Sequence, residues 1–260
     1  AKLVSIFVQT LLYGAYTVLF ALTCWVLIYH RTKDQPIRKT MLGISLLMFV
    51  LATMHIGVNF TRIIKAFVVF KDEPGGPAAF FNQLSEFTQL FGSTIYITQT
   101  IVGDAVVLYR CYQVWGRRFE IVAFPFLLLL GTTTSGIGIL YTFARVVPNA
   151  EVFVIQSRNW SLPFASLSLA TNIIATGLVA FRIWYINRRT IVFTGHDLRP
   201  IMLLIIESGA VYSTTLLALL ILYNVGSWFE YVLLDAVRSK FLSSTGLVFS
   251  MIIIRIGLGI

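Results

Sequence analysis

The sequence predicts an all-α fold, a seven-transmembrane-helix bundle that forms one polytopic integral membrane domain over residues 1–260. Two observations predict this fold class. Of the 260 residues, 57% are hydrophobic and only 12% are charged, whereas a soluble domain carries about 25% charged residues. The apolar residues also fall into blocks of about 20 or more, the length that a helix needs to cross a hydrocarbon core about 30 Å thick. The lipid bilayer is therefore the expected surroundings of most of the chain.

Seven apolar blocks, separated by polar stretches, define the predicted spans in chain order. The charged 30–36 segment ends the first block, and the turn-forming 71–77 segment follows the second. Arg117 and Arg118 separate the third from the fourth, and a loop over residues 144–160 leads to the fifth. The seventh is the least apolar. The predicted spans cover residues 3–29, 41–60, 86–110, 121–143, 162–184, 200–223 and 231–255.

Lysine and arginine residues set the expected orientation, because short loops rich in them stay in the cytoplasm. The connections after the first, third and fifth spans hold more of these residues than the opposite side, where acidic residues dilute them. We therefore expect the N-terminus outside and the C-terminus in the cytoplasm. The sequence Asn159-Trp160-Ser161, a glycosylation acceptor, then lies in an outer loop. Both the plasma membrane and an endomembrane fit this orientation.

The chain begins with Ala1 rather than methionine and stops at Ile260 within an apolar run. We therefore expect the natural protein to carry tails beyond both ends.

The net charge of +9 does not indicate a nucleic-acid-binding protein, because the basic residues lie at helix ends rather than on one soluble face.

Cys24 and Cys111 do not suggest a disulfide framework. Cys111, beside Arg110, is either an ordinary buried thiol or a site of S-palmitoylation. The three histidines lie far apart and near no cysteine cluster, so neither a metal nor a cofactor is expected.

Ionisable residues inside the predicted hydrocarbon core are costly and therefore mark candidate functional sites. Asp104 lies six residues before Arg110, and Glu207 lies seven residues after Pro200. Both carboxylates are thus expected about 10 Å inward from the cytoplasmic ends of their spans, where arginines can reach them. This inner ionic cluster is either a lock on one helix packing or a switch or proton relay. Its predicted members are Asp104, Arg110, Arg182, Glu207 and Arg255.

A second set of polar residues lies near the outer ends of the spans. His55, Asn59 and Arg62 are spaced so that one helical face carries all three. Such side chains either satisfy one another and the lipid headgroups, or line a pocket for a small polar or amphipathic ligand. The candidate pocket residues are His55, Asn59, Arg62, Glu86, Gln99, Asp235 and Arg238.

Two runs of small and hydroxyl-bearing residues predict helix packing rather than a site. In the fourth span, the 131–138 segment places small residues about four apart, which lets helices approach closely. In the sixth span, residues 212–215 are predicted to form hydrogen bonds between helices.

Several segments resemble a known family. They are Gln-Thr-Ile-Val-Gly-Asp (99–104), Leu-Tyr-Arg-Cys-Tyr-Gln-Val-Trp (108–115), and the residues 170–177, 181–184, 206–209 and 253–259. Together they resemble a large uncharacterised family of seven-span integral membrane proteins from mushroom-forming (basidiomycete) fungi. The resemblance implies the seven-span fold and no particular activity. It draws attention to Asp104, Arg110, Asn172, Arg182, Glu207 and Arg255.

Three functions are compatible with this sequence. The favoured expectation is a receptor-like protein that senses a small molecule through a helix rearrangement. The alternative is a proton- or cation-coupled channel or transporter that uses Asp104 and Glu207. A membrane-embedded enzyme acting on a lipid or isoprenoid is disfavoured, because the sequence shows neither paired aspartates nor a His-rich cluster. The expected partners are the bilayer, a small-molecule or lipid ligand and, as one option, a second copy of the chain.

Overall fold

The computed structural model describes residues 2–29, 37–72, 80–81, 86–145 and 152–194, together with positions 203, 206, 207, 209, 210, 212–214, 216–218, 220 and 221. Its described elements are helical throughout, which confirms the all-α part of the predicted fold class. The helices are α1 (Lys2–Tyr29), α2 (Ile37–Ile64), α3 (Phe87–Val114), α4 (Phe119–Ala144) and α5 (Val152–Thr194). A π-helical turn, Lys65–Val69, continues α2. The described positions between 203 and 221, called here the 203–221 segment, are also helical.

All five helices contain a stretch that is long and apolar enough to cross a membrane. The stretches run from 20 residues in α1 to 30 residues in α5. Their length and composition indicate a membrane protein. Of the other two predicted spans, 200–223 is described at the 203–221 positions only, and 231–255 lies outside the described residues.

The centre of the described bundle is α3, which packs against α4, α5 and α2. The helices α4 and α5 also pack against each other, whereas α1 packs against α2 alone among the described elements. Half of the apolar stretch of α3 is buried, compared with 17% of that of α1. Buried residues of α3, α4, α5 and the 203–221 segment form the main apolar cluster. Polar side chains on the inner faces of these helices are therefore kept from lipid.

The small-residue run of α4 lies at its closest approaches to other helices, as predicted. A side chain on Gly136 would meet Ile97 of α3 at 2.7 Å, and one on Gly138 would meet the Trp160 ring of α5 at 2.5 Å. Only glycine leaves room for these neighbours, because real Cβ contacts are longer.

Helix α5 is longer than the predicted fifth span. It begins at Val152 and runs for 43 residues with Pro163 inside it, so part of the predicted 144–160 loop is helical and this proline does not mark a helix end. Proline lacks the N–H that would bond one turn back. The Ser166 hydroxyl donates to the Leu162 and Pro163 carbonyl oxygens at 2.9 and 3.2 Å, and the helix continues through the proline.

The Cys111 thiol lies in the apolar interior between α3, α4 and α5. It is fully buried and clusters with Leu108, Val122 and Val179. S-palmitoylation requires an accessible thiol, so this alternative for Cys111 is wrong, and the residue acts as a small core side chain.

Candidate functional site

The most deeply buried carboxylate of the described chain is Asp104 in the middle of α3, with 1% of its surface exposed. The Ser168 hydroxyl of α5 donates a 2.6 Å hydrogen bond to one carboxylate oxygen. The Tyr212 hydroxyl of the 203–221 segment donates a 2.9 Å bond to the other. The two hydroxyl oxygens are 3.2 Å apart. We call these three residues the Asp104 cluster, and it joins three separate helical elements.

The residues of α5 that face the 203–221 segment repeat every four positions, so they share one side of the helix. One turn after Ser168, the Asn172 side-chain amide donates to Ser213 Oγ at 3.1 Å and to the Gly209 carbonyl at 3.3 Å. One turn later, Thr176 packs so closely on Gly209 that a Cβ there would lie 2.6 Å from it. This polar stripe extends the Asp104 cluster along the helix interface. The predicted hydrogen-bonding role of Tyr212 and Ser213 agrees with these contacts.

Among the described residues, Asp104 pairs with none of the arginines of the predicted inner ionic cluster. The partners of Asp104 are hydroxyl groups, and Arg110 lies about 120° away around α3, because six residues at 3.6 per turn do not return to the same face. Arg182 rests instead over the Trp115 ring, with its Cζ 5.1 Å from the ring centroid. Glu207 is exposed on the surface of its helix, and Arg255 lies outside the described residues. Asp104 is thus buried with two hydroxyl partners in place of the expected arginines.

Three of the predicted pocket residues, His55, Asn59 and Arg62, contact side chains that were not among the predicted pocket residues. His55 Nδ1 is 2.9 Å from Gln9 Nε2, and Asn59 Nδ2 donates to Gln9 Oε1 at 3.0 Å while lying 3.3 Å from the His55 ring nitrogen. Gln9, His55 and Asn59 form what we call the α1–α2 polar cluster. Arg62 lies over the Phe81 ring at 5.6 Å. The prediction that the three α2 residues share a face is consistent with this arrangement.

The remaining outer candidates lie apart from that cluster. Glu86 forms an ion pair with Lys65 at 3.1 Å, and Gln99 is buried within α3. Asn159 is exposed at the start of the apolar stretch of α5, in helix rather than loop. Asp235 and Arg238 lie outside the described residues.

Sequence reasoning missed two residues of these clusters, Gln9 and Ser168. A signal for Gln9 was present, because Tyr13 and Tyr16 follow it at helical spacing and give α1 a polar side. Tyr13 does bond across the helices, with its hydroxyl 2.7 Å from that of Thr53. Ser168 carried no comparable signal, since it is one of many serines and threonines in apolar helices.

The chemistry open to the Asp104 cluster is the exchange of hydrogen bonds between one carboxylate and two hydroxyls. Within the part of the chain that the structure describes, no three histidine, cysteine, aspartate or glutamate side chains come together as metal ligands.

No family model, curated protein or solved structure matches this chain.

Proposed function

We propose that this chain is a receptor-like seven-span membrane protein that senses a small molecule by changing its helix packing, with the Asp104 cluster as the internal link that the ligand loosens. The observation that carries the proposal is the buried Asp104 carboxylate, bonded at 2.6 and 2.9 Å to hydroxyls from two other helical elements. The proposal includes membership of the basidiomycete seven-span family and an outside N-terminus.

A link made of hydroxyl groups suits a two-state element. Polar groups inside a bilayer seldom lack partners, so they hold helices in register without a hydrophobic force between them. Ser168 and Tyr212 lie within 3.2 Å of each other, and each hydroxyl can both donate and accept. A small rotation of α5 therefore exchanges one bond for another rather than leaving a buried group without a partner. Two packings then differ little in free energy, as a population shift requires.

The outer candidate residues supply the route from a ligand to the Asp104 cluster. Gln99 lies on α3 about 7.5 Å along the helix axis from Asp104, and it is buried where α3 meets its neighbours. A ligand that enters between the outer ends of α2 and α3 and engages Arg62 or Gln99 would move α3, to which Asp104 belongs. The ligand class that fits these side chains is a small polar or amphipathic molecule.

The experiment is a distance measurement on the full chain in nanodiscs. Spin labels on α3 and on the 203–221 segment report their separation by pulsed electron resonance while a chemically broad ligand library is screened. We expect Ser168→Ala to shift the distance distribution toward a second population, and a ligand to shift the wild type in the same direction. Ser166→Ala is the matched control, because this exposed hydroxyl bonds only within α5. The proposal fails if no compound and no cluster variant changes the distribution.

A proton- or cation-coupled transporter is the second candidate, since a carboxylate buried inside a membrane helix is typical of proton pathways. The exposed position of Glu207 does not favour its pairing with Asp104. Proteoliposome flux distinguishes the two functions. Flux that disappears in Asp104→Asn and persists in Glu207→Gln would support transport through Asp104, and absence of flux under a proton or cation gradient would exclude it.

A further inference from the structure

Arginines and aromatic rings alternate where α5 leaves its apolar stretch. That stretch ends at Arg188, and the α3–α4 turn lies beside it, because Trp115 Nε1 donates to the Leu178 carbonyl of α5 at 3.2 Å. We call the residues at this end of the bundle the arginine–aromatic patch. Its members are Trp115, Arg182, Trp184, Tyr185 and Arg188.

Both arginines of the patch are held against ring faces. The Arg182 guanidinium carbon lies 5.1 Å from the Trp115 centroid and 5.9 Å from that of Tyr185. The Arg188 guanidinium carbon lies 4.3 Å from the Trp184 centroid. Stacking on a ring leaves the edge of a guanidinium, with its N–H donors, free to point elsewhere. Arg182 and Arg188 are six residues, about 9 Å, apart along α5, so the rings orient two forks of donors at successive depths near the end of its apolar stretch.

The α3–α4 turn adds two more arginines at the same end. Gly116 and Arg117 both adopt a left-handed conformation, with φ of 67° and 63°, and the Arg117 N–H donates to the Tyr112 carbonyl at 2.9 Å. Glycine adopts this conformation freely, whereas an arginine is strained in it. The sharp turn leaves Arg117 and Arg118 exposed. Arg117 and Arg118 thus add positive charge at the end of the bundle that carries the patch.

From this geometry we infer that the arginine–aromatic patch binds the phosphate of an anionic phospholipid in the adjacent leaflet. Phe181, Trp184 and Tyr185 are exposed on the same helix and continue its lipid-facing surface up to the patch. Tryptophan and tyrosine occupy the headgroup level of a bilayer, and arginine there attracts anionic lipids. A guanidinium fork also matches two phosphate oxygens. This inference goes beyond the proposed sensing function and does not depend on it.

The position of the patch favours a lipid over an acidic protein. The rings that orient the arginines lie at the end of the apolar stretch rather than beyond it, so a bilayer that covers this stretch would bring them level with its headgroups. An acidic peptide would have to bind among acyl chains and headgroups to reach Arg182.

The test measures binding of a short-chain anionic lipid, dioctanoyl phosphatidylglycerol, to the full chain in detergent, from the rise in melting temperature during a titration. Dioctanoyl phosphatidylcholine, inorganic phosphate and a polyglutamate peptide are the comparison probes. We expect only the anionic lipid to stabilise the wild type at low concentration. Equal stabilisation by phosphate would indicate a site for free anions, and equal stabilisation by the peptide a protein-binding surface; each would overturn the inference.

Variants of Arg188 decide whether the patch is a built site or only positive charge. Arg188→Gln should weaken binding of the lipid about fivefold, the effect of one interfacial arginine. Arg188→Lys keeps the charge but loses the fork, so it should restore only part of that affinity. The matched control is Arg145→Gln at the opposite end of α4, where Arg145 is exposed and lies 4.7 Å over the Tyr141 ring. If Arg145→Gln weakens binding as much as Arg188→Gln, or if Arg188→Lys binds like the wild type, the assigned site is wrong.

Discussion

The Asp104 cluster and the α1–α2 polar cluster both place polar side chains inside an apolar helix bundle, but they differ in composition and in the number of elements they join. The first sets a carboxylate against two hydroxyls and connects α3, α5 and the 203–221 segment. The second joins two amides and an imidazole between α1 and α2 only. In a membrane, packing and polar contacts replace the hydrophobic force between helices. The first cluster therefore joins three described elements, whereas the second attaches α1 to α2, its one neighbour among the described elements.

The largest expected effect comes from removing the carboxylate. Asp104→Ala leaves the hydroxyls of Ser168 and Tyr212 without their acceptor, and we expect it to lower the free energy of unfolding by about 2–3 kcal/mol. Unfolding by a denaturing detergent in bicelles measures this change. Asp104→Asn is the control, because it keeps one acceptor oxygen and should cost about half as much. If Asp104→Ala were as stable as the wild type, the Asp104 cluster would not hold the core together.

A second test of the core acts through packing rather than hydrogen bonds. In Gly138→Ala the new methyl group would lie 2.5 Å from the Trp160 ring, so α4 and α5 must separate slightly, at a cost of about 1–2 kcal/mol. The same unfolding titration measures it. Gly177→Ala on α5 is the matched control, since a Cβ there meets nothing within 4 Å. Equal stability of the two variants would contradict the close contact between α4 and α5.

The α1–α2 polar cluster should matter less than the Asp104 cluster. Gln9→Leu removes the amide that contacts both His55 and Asn59, and a membrane hydrogen-bond pair contributes about 1 kcal/mol or less. We expect a local effect, seen as faster hydrogen exchange in α1 with little change in α3. Thr10→Val, next in sequence, removes a hydroxyl that bonds only to its own helix at the Ile6 carbonyl and should change nothing. Faster exchange in α3 as well would mean that the two clusters are coupled.

The smallest expected effect belongs to the ion pair between Lys65 and Glu86. Lys65→Gln removes the 3.1 Å contact with Glu86, and exposed pairs contribute about 0.5 kcal/mol. The loss should vanish in 1 M salt, where the Debye length is about 3 Å. Unfolding at low and high salt measures this difference. A larger, salt-independent loss would place Lys65 with the structural core rather than at its edge.

Much of the fold follows from sequence because the bilayer sets helix length. The apolar blocks that predict the first five spans lie within α1 to α5, apart from Glu86, which precedes α3 by one residue. The small-residue run of α4 correctly marks a close helix contact. The limits of helices are less predictable. Pro163 indicates a helix end by its missing N–H, yet α5 runs through it, because packing on α3 and α4 outweighs the loss of one bond.

The candidate site was predictable only in part, since sequence spacing gives depth along a helix but not rotation about its axis. Asp104 was identified from the cost of burying a carboxylate. Its partners were not, because the rotation that turns Asp104 toward Ser168 and Tyr212 is set by the surfaces of three elements together. On the 203–221 segment, the rotation that turns Tyr212 toward Asp104 leaves Glu207, five residues away, exposed, although Glu207 was expected at the depth of Asp104. The structure was needed to show that Gln9 and Ser168 belong to these clusters, because their contacts lie on other helices.

Because α5 is long, a small tilt of this helix produces a large displacement at its end. Its 43 residues extend about 64 Å at 1.5 Å per residue, about twice the thickness of the hydrocarbon core. About 39 Å of helix separates Ser168 from Thr194. A tilt of α5 by about 5° about the Asp104 cluster displaces its Thr194 end by about 3 Å. The arginine–aromatic patch lies between these two points, so such a tilt changes the contacts of the patch.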